Sequence, residues 1–451
     1  PIYGPMVVPP LEWAPGERGG YRFALRGDLD LVRGGSENRQ DGRDISEIRK
    51  AINTVQETAW MINWRVLQVV QQVADRKGGR ADVPELDEIP MPPKPADIDT
   101  NEDAKDEWKE QARRRHLQER ERQSDAAEFL KTLNVAEDMA GEEELYWPHN
   151  LDFRGRVYPV PDVLHPQGPD LHRGLLQFAD GKSLERDGAM WLAVHGANCV
   201  GDTPSGRKID KESFQDRVDW IVGATHRIRE VAEDPMEHSW WMDADEPWQF
   251  LAFCFEWDRF IAHREEHGRD ADDQFVSYLP VSVDGSCNGL QHFAALLRDE
   301  KAGEAVNLLP RETPRDMYTR VLDSTLDNLE DKAAHGEETG AKLATLWLNS
   351  GLVDRGMVKT PAMTFGYGSK RFGFARQIQD ELRSETNFPE TRDYFTMDVE
   401  GQDEPKDMTF KACSLLAGCI WNAIGEEARG AFQAMEWMQE CARAVAKSGE
   451  E

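Results

Sequence analysis

Asp284 is the carboxylate best placed in this sequence to hold a divalent cation. It ends the segment 279–284, LPVSVD, which alternates like a strand and puts Val281 and Val283 on one face and Ser282 and Asp284 on the other. A carboxylate at the end of a buried strand, just before a turn, suits cation binding over a cleft. The alternative interpretation is a carboxylate that caps the following helix.

A second group of chemistry-bearing side chains recurs every four residues, and it consists of Arg355, Lys359, Met363 and Tyr367. On a helix they would lie along one gently drifting face. Two cations one turn apart can grip a triphosphate, while the apolar and aromatic side chains further on can meet base and sugar. The alternative is a row of surface cations beside two core residues.

Pro361 bears on the geometry of that helix. It either kinks a helix that runs through it or stands at the start of a shorter helix capped by Thr360, which would leave Lys359 outside.

The segment 152–158, DFRGRVY, offers a third group. Treated as one strand, it gathers its polar side chains on a single face, which are Asp152, Arg154, Arg156 and Tyr158. An arginine face suits contact with phosphates. The alternative is that the arginines pair with Asp152 and other acids.

Hydrophobic periodicity predicts the elements that must position these side chains. We expect irregular structure over 1–43 and a proline-rich linker over 83–99, and helices over the ranges 45–73, 101–139, most of 174–278, the segment from Leu290 to Leu297, and 424–446. The charged helix of 101–139 would by itself be interpreted as a solvated helical hairpin. Trp240, Trp241, Trp248 and Trp257 are expected in the core.

Composition limits the class of protein. The chain of 451 residues is long enough for about three domains. It shows no signal peptide and no apolar run near the ~20 residues of a membrane helix, which predicts a cytoplasmic protein with no membrane partner. Six scattered cysteines without a CxxC pair argue against zinc and disulfides.

The net charge of −30 by itself argues against a nucleic-acid-binding protein. Basic side chains focused in a cleft would resolve the conflict, because the local field steers a ligand. Adaptation to a high-salt cytoplasm is a further hypothesis.

The amino-acid sequences of three segments resemble those of one protein family. DGSCNGLQHFAALLRDE, from Asp284 onward, is similar to the first palm motif of the single-subunit, phage-type (bacteriophage and mitochondrial) DNA-dependent RNA polymerases. RGMVKTPAMTFGYGSKRFG, from Arg355, resembles their fingers motif, and DFRGRVY resembles the strand that opens their palm. The similarity extends over most of the chain and is weakest over 374–410.

The resemblance implies an α+β, predominantly helical fold of the right-hand polymerase type, with a thumb, part of the palm and part of the fingers. The implied domains are the end of an N-terminal domain at 1–80, linker and thumb at 81–142, the first half of the palm at 143–312 and truncated fingers at 313–451. It implies DNA-templated RNA synthesis from ribonucleoside triphosphates, with DNA template and RNA product as partners.

The resemblance also assigns roles. Asp284, with the Gly285 carbonyl, would hold Mg²⁺, and Asp284, Lys359 and Tyr367 would be catalytic. Nucleotide binding would fall to the fingers residues Arg355, Lys359, Met363, Tyr367 and Gly368. Nucleic-acid binding would fall to Arg154, Arg156, Tyr158 and Arg173. The two-metal route needs carboxylates around a pair of ions about 4 Å apart.

The family's second aspartate lies in a His-Asp-Ser motif, and none of the 11 histidines here precedes an aspartate. The chain is therefore expected to be a fragment, inactive alone, whose partners include the missing C-terminal part of the polymerase. Two alternatives stay open. One is a related A-family DNA polymerase, which usually has a glutamate after the motif's aspartate; here no acid follows Asp284 until Asp299, which favours RNA synthesis. The other is a non-catalytic half of a split polymerase that binds nucleic acid.

Overall fold

The computed structural model describes residues 3–23, 29–33, 44–203, 206, 208–383, 395–397 and 406–448. The chain divides into two compact units, 1–282 and 283–451. Described helices far outnumber described strands, which form four two-stranded antiparallel ladders. The predominantly helical fold is therefore confirmed. None of the described helices combines the length and apolar character needed to cross a bilayer.

The first unit is built on helices that enclose an aromatic core. Its described elements are α1 (Ser46–Gln56), β1 (Trp60–Ile62), α2 (Trp64–Asp75), α3 (Glu102–Met139), β2 (His149–Leu151), β3 (Val157–Pro159), α4 (Asp170–Leu175), β4 (Leu176–Phe178), β5 (Lys182–Ser183), α5 (Gly188–Val200), α6 (Phe214–Glu233), α7 (Pro247–His267) and β6 (Val276–Ser277). Trp241, Trp248 and Trp257 are buried and Trp240 packs against them, which confirms the prediction that these tryptophans are core.

The prediction of one helix over 45–73 is wrong. The chain leaves the helix after α1 because Trp60–Ile62 pairs antiparallel with Leu176–Phe178, and the Trp60 ring packs 4.3 Å from that of Phe178. Asn63 then starts α2, where its side chain accepts a hydrogen bond from the Val66 N–H. Tertiary pairing thus overrides a continuous helical periodicity.

The charged segment 101–139 is a single helix, α3, rather than a helical hairpin. The linker before it has no regular structure, as predicted, but it is anchored along α3. Arg115 donates hydrogen bonds to the Ile89 carbonyl, and Glu119 accepts one from the Ile89 N–H at 3.0 Å.

The second unit is an α-helical body. Its described elements are α8 (Asn288–Leu297), α9 (Glu300–Ala305), α10 (Met317–His335), α11 (Glu338–Ser350), α12 (Arg355–Phe365), α13 (Arg371–Arg383), β7 (Thr396–Met397), β8 (Lys406–Asp407), α14 (Thr409–Glu427) and α15 (Arg429–Ser448). Its buried side chains form a core separate from that of the first unit. Part of the stretch where the family resemblance is weakest, 384–394 and 398–405, lies outside the described residues, as do 1–2, 24–28 and 34–43 of the segment expected to be irregular.

The helix predicted over 424–446 is in fact two helices. The break is at Ala428, whose φ of −131° and ψ of 55° leave the helical region. Just beyond it, the Gly430 N–H donates to an Asp299 carboxylate oxygen at 3.3 Å, so a partner from α9's N-terminus replaces the helical bond.

Candidate active site

The segment that carries Asp284 is not a strand. The strand β6 ends at Ser277, which pairs with Lys182 of β5, and no described strand pairs with 279–284. Val283 is 90% exposed, so the expectation of a buried strand is also wrong. A strand needs a neighbour for its backbone groups, and the described residues supply none here.

Asp284 does not cap the next helix either. The N-cap position of α8 belongs to Cys287, in the left-handed region at φ 57°, and no side chain bonds to the helix N-terminus. One Asp284 oxygen accepts the Gly285 N–H at 2.7 Å, and the carboxylate is exposed. The predicted helix itself is confirmed, with Leu290 and Ala294 on its buried face.

The donor chemistry of this loop fits Mg²⁺ only in part. The Asp284 carboxylate and Gly285 carbonyl are hard oxygen ligands, and Mg²⁺ is usually held by one or two carboxylates together with waters and substrate phosphates. The described residues contain no group of three or more His, Cys, Asp or Glu side chains that could hold a metal. The loop therefore suits a shared ion and not a closed protein cage.

The α12 helix carries the predicted row on its exposed side. Lys359 and Met363 are exposed and Arg355 is half-buried, whereas the opposite face packs into the core through Met357, Val358, Pro361, Ala362 and Phe365. The single-face geometry is thus as predicted, and Met363 is not a core residue. The Lys359 side chain makes no hydrogen bond or ion pair to the described residues.

The helix runs through Pro361, as in the first alternative, so the second alternative, a shorter helix that starts at Pro361 and is capped by Thr360, is wrong. The helix begins after Asp354, whose carboxylate accepts the Met357 N–H at 2.8 Å, and runs through Pro361 to Phe365. Its first turn is already capped, and burial of the pyrrolidine ring compensates for the one backbone donor that proline lacks. Lys359 consequently lies on the helix.

Tyr367 follows α12 in the turn that Gly368 completes at φ 89°. Its side chain is 58% exposed, and its hydroxyl donates to the Asn288 side-chain oxygen at 3.2 Å. The two elements approach closely at Gly366 and Gly289, since a Cβ built on Gly366 would lie 3.4 Å from the Gly289 Cα, which is van der Waals contact. The start of α8, four residues after Asp284, and the end of α12 are thereby joined.

Arg355, at the start of α12, is held by groups that the sequence analysis did not connect to it. Its Nε atom donates to the Asp316 carboxylate, and its guanidinium carbon lies 5.2 Å from the centre of the Tyr318 ring. Burial opposes ionisation of Asp316, but the hydrogen bond and charge of Arg355 outweigh it and hold the pKa of Asp316 below its ordinary value. An aspartate before an apolar helix signals a cap, but nothing local links it to an arginine 39 residues away.

In the first unit, residues 152–156 form the hairpin turn between β2 and β3, and 157–158 begin β3, so the single-strand prediction is wrong. Gly155 has φ 86°, and one Asp152 oxygen accepts the N–H groups of Arg154 and Arg156 at 2.8 and 3.0 Å. The other accepts the Arg154 guanidinium at 2.7 Å. The structure thus contains the alternative acid pairing for Arg154; Tyr158 lies on β3.

Arg173, on α4, pairs with Glu246 at 2.8 Å and lines a cavity of about 190 Å³ together with His195, Gln249 and Trp60. Its Nε atom is buried and has no hydrogen-bond partner among the described residues. A guanidinium with an unused N–H donor beside a cavity can bind a further anionic group.

Comparison with known proteins extends over the same segments. The family model described as DNA-dependent RNA polymerase matches residues 182–451. The chain is 37% identical to the DNA-directed RNA polymerase of Enterobacteria phage T3 and 35% to the T7 RNA polymerase of Escherichia phage T7, in each case over 99% of this chain and 50% of the relative. It is 33% identical to the mitochondrial DNA-directed RNA polymerase 1B of Nicotiana tabacum, over 98% of this chain and 42% of that protein.

The chain spans about half the length of the curated relatives it matches. The family match covers Asp284 and all of α12, where the exposed cation row and the loop with oxygen donors were found. On these grounds the chain belongs to the DNA-dependent RNA polymerase family.

Proposed function

We propose that this chain forms the thumb, the first part of the palm and part of the fingers of a polymerase that synthesises RNA on a DNA template. The observation that carries the proposal is the exposed face of α12, which offers Arg355, Lys359 and Met363 beside a tyrosine hydroxyl bonded to the helix after Asp284. A triphosphate binds to cations whose N–H donors are not all paired with carboxylates, and the Lys359 side chain is such a cation.

The side chains take distinct roles in this proposal. Lys359 and Arg355 bind the triphosphate of the incoming ribonucleotide, Met363 meets its base, and Tyr367 with Gly368 borders its sugar. Asp284 and the Gly285 carbonyl would hold Mg²⁺, which when bound neutralises phosphate charge and favours ionisation of a primer hydroxyl. A second carboxylate would come from a His-Asp-Ser segment outside this sequence, so the chain alone is expected to be inactive.

Contacts to nucleic acid are assigned to the first unit. Arg156, Tyr158 and Arg173 are proposed to contact the backbone of template or product, as is Arg154 after exchange of its Asp152 partner for a phosphate. Arg173 has the clearest physical support, because its buried Nε lacks a partner among the described residues. The α3 helix takes the position of the thumb.

The test is primer extension on a DNA template by a polymerase that joins this chain to a downstream segment with the His-Asp-Ser motif. We expect Mg²⁺-dependent incorporation of ribonucleotides, no incorporation with Asp284→Asn, because an amide is a poor Mg²⁺ ligand, and none by the chain alone. Asp327→Asn, an exposed position on α10, is the matched control and should be fully active.

Three results would contradict the proposal. Near-normal turnover by Asp284→Asn would remove Asp284 from the metal site. Preferential use of deoxyribonucleotides would favour the DNA polymerase alternative instead, and nucleic-acid binding without extension would favour a non-catalytic half.

A further inference from the structure

Asp316 uses both carboxylate oxygens at the N-terminus of α10. One accepts the Tyr318 N–H at 3.0 Å, which caps the helix. The other accepts the Nε–H of Arg355 and the Thr319 hydroxyl at 3.1 Å. A single side chain thus fixes both the helix and the arginine.

Arg355 is constrained on two sides and open on a third. Its Nε edge is bound to Asp316, and its flat face lies against the Tyr318 ring. Its terminal nitrogens make no hydrogen bonds to the described residues, and its side chain is 40% exposed. The free end of a guanidinium presents two parallel N–H groups, which match two oxygens of a phosphate.

The same anchor is tied to the loop that follows Asp284. Cys287 and Tyr318 both pack against the core of the second unit. Asn307 donates to the Ser286 hydroxyl at 2.9 Å, and its side chain also bonds both the N–H and the carbonyl of Arg315, directly before Asp316. A shift of Asp316 at the start of α10 would therefore displace both Arg355 and the loop that follows Asp284.

We propose that Asp316 is a positioning residue, which holds Arg355 by its Nε edge so that the terminal nitrogens face the polyphosphate of the incoming nucleotide. The inference rests on the proposed function. The competing explanation is a simple ion pair, in which Asp316 only neutralises part of the charge of Arg355. The two explanations predict opposite signs, because loss of a merely neutralising acid would strengthen binding of an anion.

The experiment measures binding of ATP and of adenosine to the 451-residue chain by titration calorimetry, with Asp316→Asn as the main variant. Asparagine is as good an N-cap as aspartate, so the helix end is retained while the charge that orients Arg355 is lost. We expect about a five- to tenfold weaker ATP affinity, as for partial loss of one charge-assisted bond, with adenosine unaffected. Asp323→Asn, exposed on the same helix and without a described hydrogen bond, should change neither affinity.

A double-mutant cycle shows whether the effect passes through Arg355. Asp316→Asn should weaken ATP binding in the unmutated chain and have no further effect in an Arg355→Ala background. Asp316→Glu, which keeps the charge, should restore part of the affinity. An equal loss of ATP affinity in both backgrounds would overturn the positioning role, as would unchanged or tighter ATP binding by Asp316→Asn. Neither result would contradict the proposed function. If the unmutated chain binds no ATP, the assignment of its triphosphate site fails, and the inference fails with it.

Discussion

The Tyr367 hydroxyl is the residue-scale feature on which choice of sugar is expected to depend. It donates to Asn288 at 3.2 Å, and its side chain is more than half exposed. A ribose 2′-hydroxyl could share a hydrogen bond with this group, whereas a deoxyribose cannot form that bond and loses its net contribution of about 0.5–1.5 kcal/mol. No acid follows Asp284 until Asp299 to act as a steric gate.

Tyr367→Phe tests this, because the ring stays and the hydroxyl goes. In a polymerase that contains this chain and the downstream segment, we expect the preference for ribonucleotides over deoxyribonucleotides to fall. The fall should reach up to roughly tenfold, since about 1.4 kcal/mol corresponds to one decade. The measurement is the ratio of kcat/KM for the two nucleotides, with Tyr3→Phe as a control remote in sequence; an unchanged ratio would leave Tyr367 as a packing residue.

Individual side chains were predictable where a local motif specified them. The four-residue spacing correctly put Arg355, Lys359 and Met363 on one face of α12, whereas Tyr367 lies in the turn that follows the helix. What the spacing could not supply was partners distant in sequence. Asp316 for Arg355 and Asn288 for Tyr367 lie 39 and 79 residues away, and such pairs form only when the helices pack.

At the scale of elements, the sequence predicted helices well and their ends poorly. The periodicity through 45–73 is apolar throughout, yet the Trp60 strand interrupts it because a partner strand is available. Conversely, 279–284 alternates like a strand and has no described partner. Periodicity reports which face is apolar, but strand formation also requires a neighbour.

Close helix packing gives a stability prediction for the element that carries Arg173. Gly174 on α4 has no room for a side chain, because its Cβ would lie 2.7 Å from backbone atoms of Trp248 on α7. Gly174→Ala should therefore lower the free energy of unfolding by about 1–3 kcal/mol, the usual cost of overpacking a core. Urea denaturation followed by tryptophan fluorescence gives the value.

Gly223 on α6 is the matched control for this substitution. A Cβ there would have no atom within 4 Å, so Gly223→Ala should be neutral or stabilising by up to about 1 kcal/mol through helix propensity. Equal effects of the two substitutions would show that the contact between α4 and α7 is looser than its geometry indicates.

At the scale of the whole molecule, the net charge affects both stability and the binding of nucleic acid. The chain has 84 acidic and 54 basic residues, a net charge of −30. Such an excess destabilises a compact state through self-repulsion, and it opposes the approach of a polyanion except where cations are locally concentrated. The exposed side of α12 is one such place. There the Arg355 side chain is paired with Asp316 and remains 40% exposed to solvent.

Salt should therefore act on this protein in two opposite directions. Raising KCl from 0.1 to 1 M shortens the screening length from about 10 Å to about 3 Å, which relieves repulsion between surface acids, so we expect Tm to rise by about 5 °C or more. Binding of a DNA oligonucleotide should weaken over the same range, because phosphate contacts release counterions. Calorimetry gives Tm, and fluorescence anisotropy gives the affinity.

Sucrose at equal osmolality is the control, and it should leave DNA binding unchanged because it does not screen charge. A Tm that is flat or falls with KCl, while sucrose raises it, would mean that the acids are already balanced locally, and the hypothesis of adaptation to a high-salt cytoplasm would then lose its physical basis.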